Sequence, residues 1–179
     1  EPVGKQDQFI SAFGGVTAFT IDTRGKVRVE RLKLKAQRIK IVEKLDADLP
    51  PVEGDENTLR QVFVNIIRNA QDAMPDGGVL TIASRRLDEG RIEIAVTDTG
   101  MGISEQNKSK LFEPFFTTKP PGKGTGLGLA ISYGIVREHG GTIGVESVEG
   151  NGTTFRLVFP AATAPKGRAN LHGPGGGDG

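Results

Sequence analysis

The sequence predicts an α+β fold: a two-layer α/β sandwich in which a mixed, mainly antiparallel sheet is covered on one face by helices. Two observations carry the prediction. Strand-like segments occur in pairs joined by short turns rich in Gly, Asp, Asn and Glu, and amphipathic helices stand between those pairs instead of following every strand. The 179 residues, with 36% hydrophobic content and no internal repeat, suffice for one globular domain with a sizeable core.

The elements follow in order. Arg38 to Leu45, RIKIVEKL, alternates apolar and polar residues as a half-buried strand does, and Pro50-Pro51 ends it. A helix starts behind Asp55, a favourable N-cap. Its apolar residues Leu59, Val62, Phe63, Ile66, Ile67, Ala70 and Ala73 recur at three-to-four spacing until Pro75-Asp76-Gly77-Gly78 breaks the pattern. Val79 to Arg86 and Arg91 to Thr97 read as a hairpin around Asp88-Glu89-Gly90. Ser104 to Lys110 is a short polar helix, and Leu127 to His139 is a second amphipathic helix stopped by Gly140-Gly141. Thr142 to Ser147 and Thr153 to Phe159 form a second hairpin around Glu149-Gly150-Asn151-Gly152. Ahead of this body, residues 1–37 read as a linker or remnant of an upstream domain. There Val16 to Ile21 and Lys26 to Glu30 can pair across Asp22-Thr23-Arg24-Gly25, and Arg31 to Gln37 forms a connecting helix or strand. Residues 161–179, rich in Gly, Ala and Pro with almost nothing to bury, read as a disordered tail.

Composition narrows the function. Lysine and arginine number 23 against 22 acidic residues, so the net charge of +1 leaves no electrostatic footprint for nucleic acid or an acidic membrane surface. Cysteine is absent, which removes disulfides and thiolate metal sites and fits a reducing, cytoplasmic setting. No apolar run approaches the roughly 18 to 20 residues that span a bilayer. Only two histidines occur, neither near another candidate metal ligand in sequence.

Three segments carry chemistry. In NIIRNAQDAM, residues 65–74, Asn65, Asn69 and Asp72 stand at i, i+4 and i+7 and share one helical face beside the apolar stripe. In Asp98-Thr99-Gly100-Met101-Gly102, an aspartate ends a strand where glycines let a flat ligand approach the backbone. In Gly122-Lys123-Gly124-Thr125-Gly126-Leu127-Gly128, a glycine-alternating loop opens a helix, whose free N–H groups and positive dipole end form an anion site. This loop is not a Walker loop, because GK[ST] occurs nowhere. Its alternating glycines do not fit a Rossmann fingerprint, and no HRD or DFG accompanies it.

Together and in this order, the segments resemble the nucleotide-binding catalytic domain of sensor histidine kinases, within the wider group of gyrase, heat-shock chaperone, mismatch-repair and histidine-kinase ATP-binding domains. The resemblance spans residues 38–160, the ATP-binding catalytic domain, and implies the Bergerat-type ATP-binding fold. NIIRNAQDAM is similar to the family's N box, DTGMG to its first glycine box, LFEPFFTTK to its phenylalanine box, GKGTGLGL to its second glycine box and GTTFRLVFP to its closing strand. NAQDAM and the compact lid between Leu111 and Gly126 resemble the soluble nitrogen-regulation variety.

The resemblance implies ATP and Mg²⁺ as ligands. Asn69 would place its carbonyl oxygen on Mg²⁺, with Asn65 supporting the phosphate and metal region one turn earlier and Asp72 ordering water or the metal shell. Asp98 would accept from the adenine exocyclic amine, with Met101, Gly102, Ile103 and Thr153 around the base. Lys119 and Lys123, with the N–H groups of Gly126, Leu127 and Gly128, would offset phosphate charge, and Thr118, Gly124 and Thr125 would complete the loop. Phe112, Phe115 and Phe116 would anchor a mobile lid or simply pack in the core.

Two departures shape the reading. Relatives that hydrolyse ATP carry a glutamate where this chain has Asn65, and an amide cannot be a general base; a histidine acceptor needs no such base. The family's phosphoacceptor histidine should precede the first strand, yet none occurs before His139, which sits at a helix C-terminus, and His172 lies in the tail. The implied activity is therefore transfer of the γ-phosphoryl group to a histidine on a dimerisation domain outside this chain, with a response regulator downstream. The alternative is a nucleotide-dependent ATPase or conformational clamp.

Overall fold

A computed structural model describes residues 9–12, 16–21, 27–30, 39–52, 54–88, 90–122 and 124–162. Three short strands come first. β1 (Phe9–Ala12), β2 (Val16–Ile21) and β3 (Val27–Glu30) form a separate antiparallel sheet in the order β1-β2-β3. The expected pairing of the segments after Val16 and Lys26 is present, whereas β1 has no counterpart in the sequence reading. Residues 31–37 and 163–179 lie outside the described residues.

The main body contains β4 (Ile39–Leu45), α1 (Glu56–Ala73), β5 (Gly78–Asp88), β6 (Arg91–Asp98), α2 (Glu105–Lys108), α3 (Gly128–Glu138), β7 (Thr142–Ser147) and β8 (Thr153–Pro160). Its five strands lie in the order β4-β5-β6-β8-β7. β4 runs parallel to β5, because α1 carries the chain back across the sheet, and the remaining neighbours are antiparallel. The sheet is thus mixed and mainly antiparallel, as the sequence predicts. The short polar helix is reduced to a single turn, with Ser104 at its N-cap making no side-chain capping bond.

Alternation along the strands builds the core. Leu80 and Ile82 of β5, Ile94 and Val96 of β6, and Phe155, Leu157 and Phe159 of β8 pack with Val62, Phe63, Ile66 and Ile67 of α1 and with Ile135 and Val136 of α3. Full burial of each such side chain contributes about 1.5–3 kcal/mol. Ile66 and Val136 are fully buried, so the apolar stripe that defines each helix is also what docks it on the sheet.

The other face of the sheet is polar. Arg85 Nε donates to Glu93 Oε1 at 2.7 Å, Arg156 Nη1 lies 3.4 Å from the same oxygen, and Arg156 grips Glu146 at 2.9 and 3.0 Å. The Arg156 guanidinium holds the Glu146 carboxyl below its ordinary range. Beyond β8, Ala161 and Ala162 still donate backbone hydrogen bonds, to Gly90 O and Pro51 O.

Candidate functional site

Helix α1 forms one wall of the site. Asp55 caps it by accepting from the Thr58 N–H at 2.9 Å, which fixes the start of the helix and hence the angular position of everything after it. The Asp55 N–H donates to His139 Nε2 at 3.1 Å, while His139 Nδ1 contacts Ile135 O at 2.8 Å. Since a carbonyl only accepts, Nδ1 carries the proton and Nε2 is the acceptor. His139 therefore ties the end of α3 to the start of α1, a structural task consistent with its place at the helix C-terminus.

Further along α1, Asn69 Oδ1 and Asp72 Oδ2 both accept from Lys119 Nζ, at 3.1 and 2.5 Å. The structure thus brings together three residues from two of the motifs read in the sequence. Asn65 has other partners. Its Nδ2 donates to Gly128 O at 2.9 Å and to Ser132 Oγ at 3.2 Å, joining the N box to the first turns of α3.

The end of β6 forms the second wall. Asp98 is buried, 3% exposed, and its Oδ1 accepts from the Gly100 N–H at 2.8 Å. Burial pushes its carboxyl above the ordinary range, and the backbone N–H groups of Gly100 and Thr153 only partly oppose this. The Thr153 hydroxyl itself pairs with Ser147 Oγ at 2.9 Å. Ser147 is a centre of the local network: it donates to Gly152 O and accepts from the Ile103 N–H, each at 2.8 Å. Asp98, Ser147, Gly152 and Thr153 border a concavity of about 190 Å³.

Gly102 has a reason to be glycine that differs from the expected approach of a ligand. Its φ is +68°, and a Cβ there would stand 2.1 Å from Val148 O. The close neighbour is the chain's own β7–β8 connection. Met101, at 60% exposure, and half-buried Ile103 flank it.

The described parts of the segment from Leu111 to Leu127 meet α1 through Lys119. Phe112 is half-buried against the core and stacks at a tilt on Tyr133, ring centres 5.4 Å apart. Phe115 is different: it is 74% exposed and its φ is +67°. Its N–H donates to Gly126 O at 3.0 Å, and Gly126, itself at φ +67°, has no room for a Cβ beside the Phe115 backbone. The phenylalanine and second glycine boxes are thereby locked to each other. Thr118 and Thr125 are exposed, and Gly124 is half-buried beside Lys119. Lys123 lies outside the described residues. Helix α3 begins at Gly128 with Leu127 in the N-cap position and no side-chain cap, which leaves its first-turn N–H groups open to an anion.

Sequence reasoning missed Ser132 and Ser147. For Ser147 a signal existed, because Ile143, Val145 and Ser147 alternate onto one face of β7, where a serine must find partners.

Residues 54–163 match the family described as histidine kinase-, DNA gyrase B-, and HSP90-like ATPase, and the chain belongs to that family. Within it, the chain is an ATP-binding catalytic domain of the sensor histidine kinase kind, as its relatives show. It is 41% identical over 144 residues to sporulation kinase E of Bacillus subtilis (strain 168), covering 79% of this chain and 19% of that protein. It is 39% identical over 153 residues to sensor kinase CckA of Brucella abortus (strain 2308), covering 78% of this chain and 16% of that protein. The chain therefore spans less than a fifth of either relative. Among solved structures, the mycobacterial sensor histidine kinase MprB superposes with a TM-score of 0.60 at 32% identity, over 69% of this chain and 82% of that one. Full-length ShkA in complex with AMPPNP superposes with a TM-score of 0.62 at 34% identity, over 70% of this chain and 26% of that one.

Proposed function

We propose that this domain binds Mg-ATP between α1 and the segment from Leu111 to Leu127, and delivers the γ-phosphoryl group to a histidine on a dimerisation domain, with a response regulator as the next acceptor. The observation that carries the proposal is the convergence of Asn69 Oδ1 and Asp72 Oδ2 on a single cationic group, Lys119 Nζ. Two oxygens that hold an ammonium group are a donor set suited to a hard cation such as Mg²⁺. Among the described residues no group of three or more His, Asp or Glu gathers to hold a metal ion, so the remaining ligands would come from nucleotide phosphates and water. When bound, Mg²⁺ would neutralise phosphate charge and orient the triphosphate.

The chain's own residues supply the rest. Asp98, held by the Gly100 N–H, presents a buried carboxylate suited to the exocyclic amine of adenine. The uncapped start of α3 and the Lys119 ammonium offer positive charge to the phosphates. Position 65 carries an amide, which has no basic group to take a proton from water, and a histidine acceptor needs no such activation. On this reading the site faces the cytoplasm, where ATP and the response regulator are.

The test is incubation with γ-labelled ATP and a separate histidine-bearing helical hairpin. Acid-labile, alkali-stable phosphoprotein is the expected product. Free phosphate released without an acceptor would instead identify an ATPase.

A further inference from the structure

Ser132 lies outside every motif of the sequence, yet it is fully buried on α3, at 0% exposure. A buried hydroxyl must direct both its proton and its lone pairs. Gly128 O can only accept, and it lies 2.8 Å from Ser132 Oγ and 2.9 Å from Asn65 Nδ2. The hydroxyl proton is thus committed to Gly128 O. What Ser132 Oγ then offers its other neighbour is a lone pair, and Asn65 Nδ2 donates to it at 3.2 Å. The two acceptors together fix which way round the Asn65 amide stands: nitrogen on Gly128 O and Ser132 Oγ, and Oδ1 on the other side of the amide, beside the start of α3, where a Cβ at Gly128 would lie 3.6 Å from it. A rotated amide would set Oδ1 against Gly128 O and Ser132 Oγ, three oxygens sharing one hydroxyl proton.

We propose that Ser132 is a positioning residue for the nucleotide site. It acts through Asn65, holding the amide in one orientation and keeping the first turn of α3 docked on the N box. The first turn is where the open N–H groups stand, so a loosened Asn65 displaces the phosphate-facing end of α3 together with the amide oxygen. This role rests on the Mg-ATP reading above. It differs from ordinary core packing because the hydroxyl is used as an acceptor as well as a donor, a capacity that alanine lacks at nearly equal volume.

The experiment is a double-mutant cycle with Ser132→Ala and Asn65→Ala, read by calorimetric titration with Mg-ATP and by the side-chain NH2 resonances of Asn65 in the nucleotide-free protein. Alanine is the strongest helix former, so the Ser132→Ala protein keeps its helix. The expected result is a loss of Mg-ATP affinity of about three- to tenfold, the scale of one hydrogen bond, and no further loss when Ser132→Ala is added to Asn65→Ala. In the nucleotide-free Ser132→Ala protein the Asn65 NH2 protons are expected to shift and to exchange faster with water. Unchanged Asn65 resonances, or an equal affinity loss in both backgrounds, would overturn the role while leaving the Mg-ATP reading intact. Failure of the unsubstituted protein to bind Mg-ATP would overturn the functional reading and the role with it.

Discussion

Lys119 Nζ sits 3.1 Å from Asn69 Oδ1, joining a residue of the segment from Leu111 to Leu127 to the N-box helix fifty positions earlier. Asp72 Oδ2 completes the contact at 2.5 Å. A cation and its segment are therefore held over α1 by the oxygens proposed to face Mg²⁺. Lys119→Met should loosen this contact in the nucleotide-free protein. Hydrogen exchange of residues 115–122 is expected to rise by about two- to fivefold, as for the loss of one partly exposed charged contact of up to about 1 kcal/mol. Exchange of core strand β6 should be unaltered.

Asn69→Ala removes the amide oxygen proposed for Mg²⁺ and leaves the apolar stripe of α1 intact. Nucleotide affinity in the presence of Mg²⁺ is expected to fall at least tenfold, about 1.4 kcal/mol. In EDTA the variant and the unsubstituted protein should bind ATP equally weakly. Titration calorimetry with and without Mg²⁺ checks this.

Asp98 gives the site a pH dependence of defined sign. Burial raises its carboxyl above the ordinary Asp value of about 3.9. For the empty domain, the stability associated with the neutral carboxyl is present below that ordinary value and is lost as pH rises through the raised one. Adenine binding runs the other way, since the carboxylate must accept from the amine. ATP affinity is therefore expected to fall on acidification at a higher pH than an unperturbed carboxylate would give. Asp98→Asn should abolish both steps and reduce the preference for ATP over GTP, which paired titrations would measure.

Gly102 and Gly122 make a controlled comparison. Both have positive φ, +68° and +82°, so alanine at either carries a strain of about 1–2 kcal/mol. Only at Gly102 does a Cβ also meet backbone, 2.1 Å from Val148 O, whereas nothing lies within 4 Å at Gly122. Urea unfolding should show Gly102→Ala to be the more destabilised, by more than 1 kcal/mol beyond Gly122→Ala.

Much of this architecture is legible in the sequence because the hydrophobic period is strong. Val62, Ile66 and Ile67 mark the buried face of α1 without reference to any neighbour, and Phe155, Leu157 and Phe159 do the same for β8. Glycine-bearing turns likewise announce both hairpins. What the sequence does not disclose is which distant groups meet. Nothing local tells that Ser132 faces Asn65, that Ser147 gathers Ile103, Gly152 and Thr153, or that the Asp55 N–H finds His139. Each of these contacts depends on how helices and strands pack. Gly102 shows the same limit from the other side: the need for glycine is readable, but the backbone it makes room for is not. Phe115 adopts a left-handed conformation that phenylalanine rarely takes, because Gly126 O holds its N–H, and no propensity foretells that.

The most direct test of the central claim is an amide chemical-shift titration of the nucleotide-free domain with a non-hydrolysable ATP analogue and Mg²⁺. Binding of Mg-nucleotide beside α1 requires saturable shifts at the side-chain amides of Asn65 and Asn69 and at the backbone of residues 98–103, 119 and 126–129, together with a quiet polar sheet face at Arg85, Glu93 and Arg156. Shifts confined to that sheet face, or none at all at millimolar analogue, would contradict it.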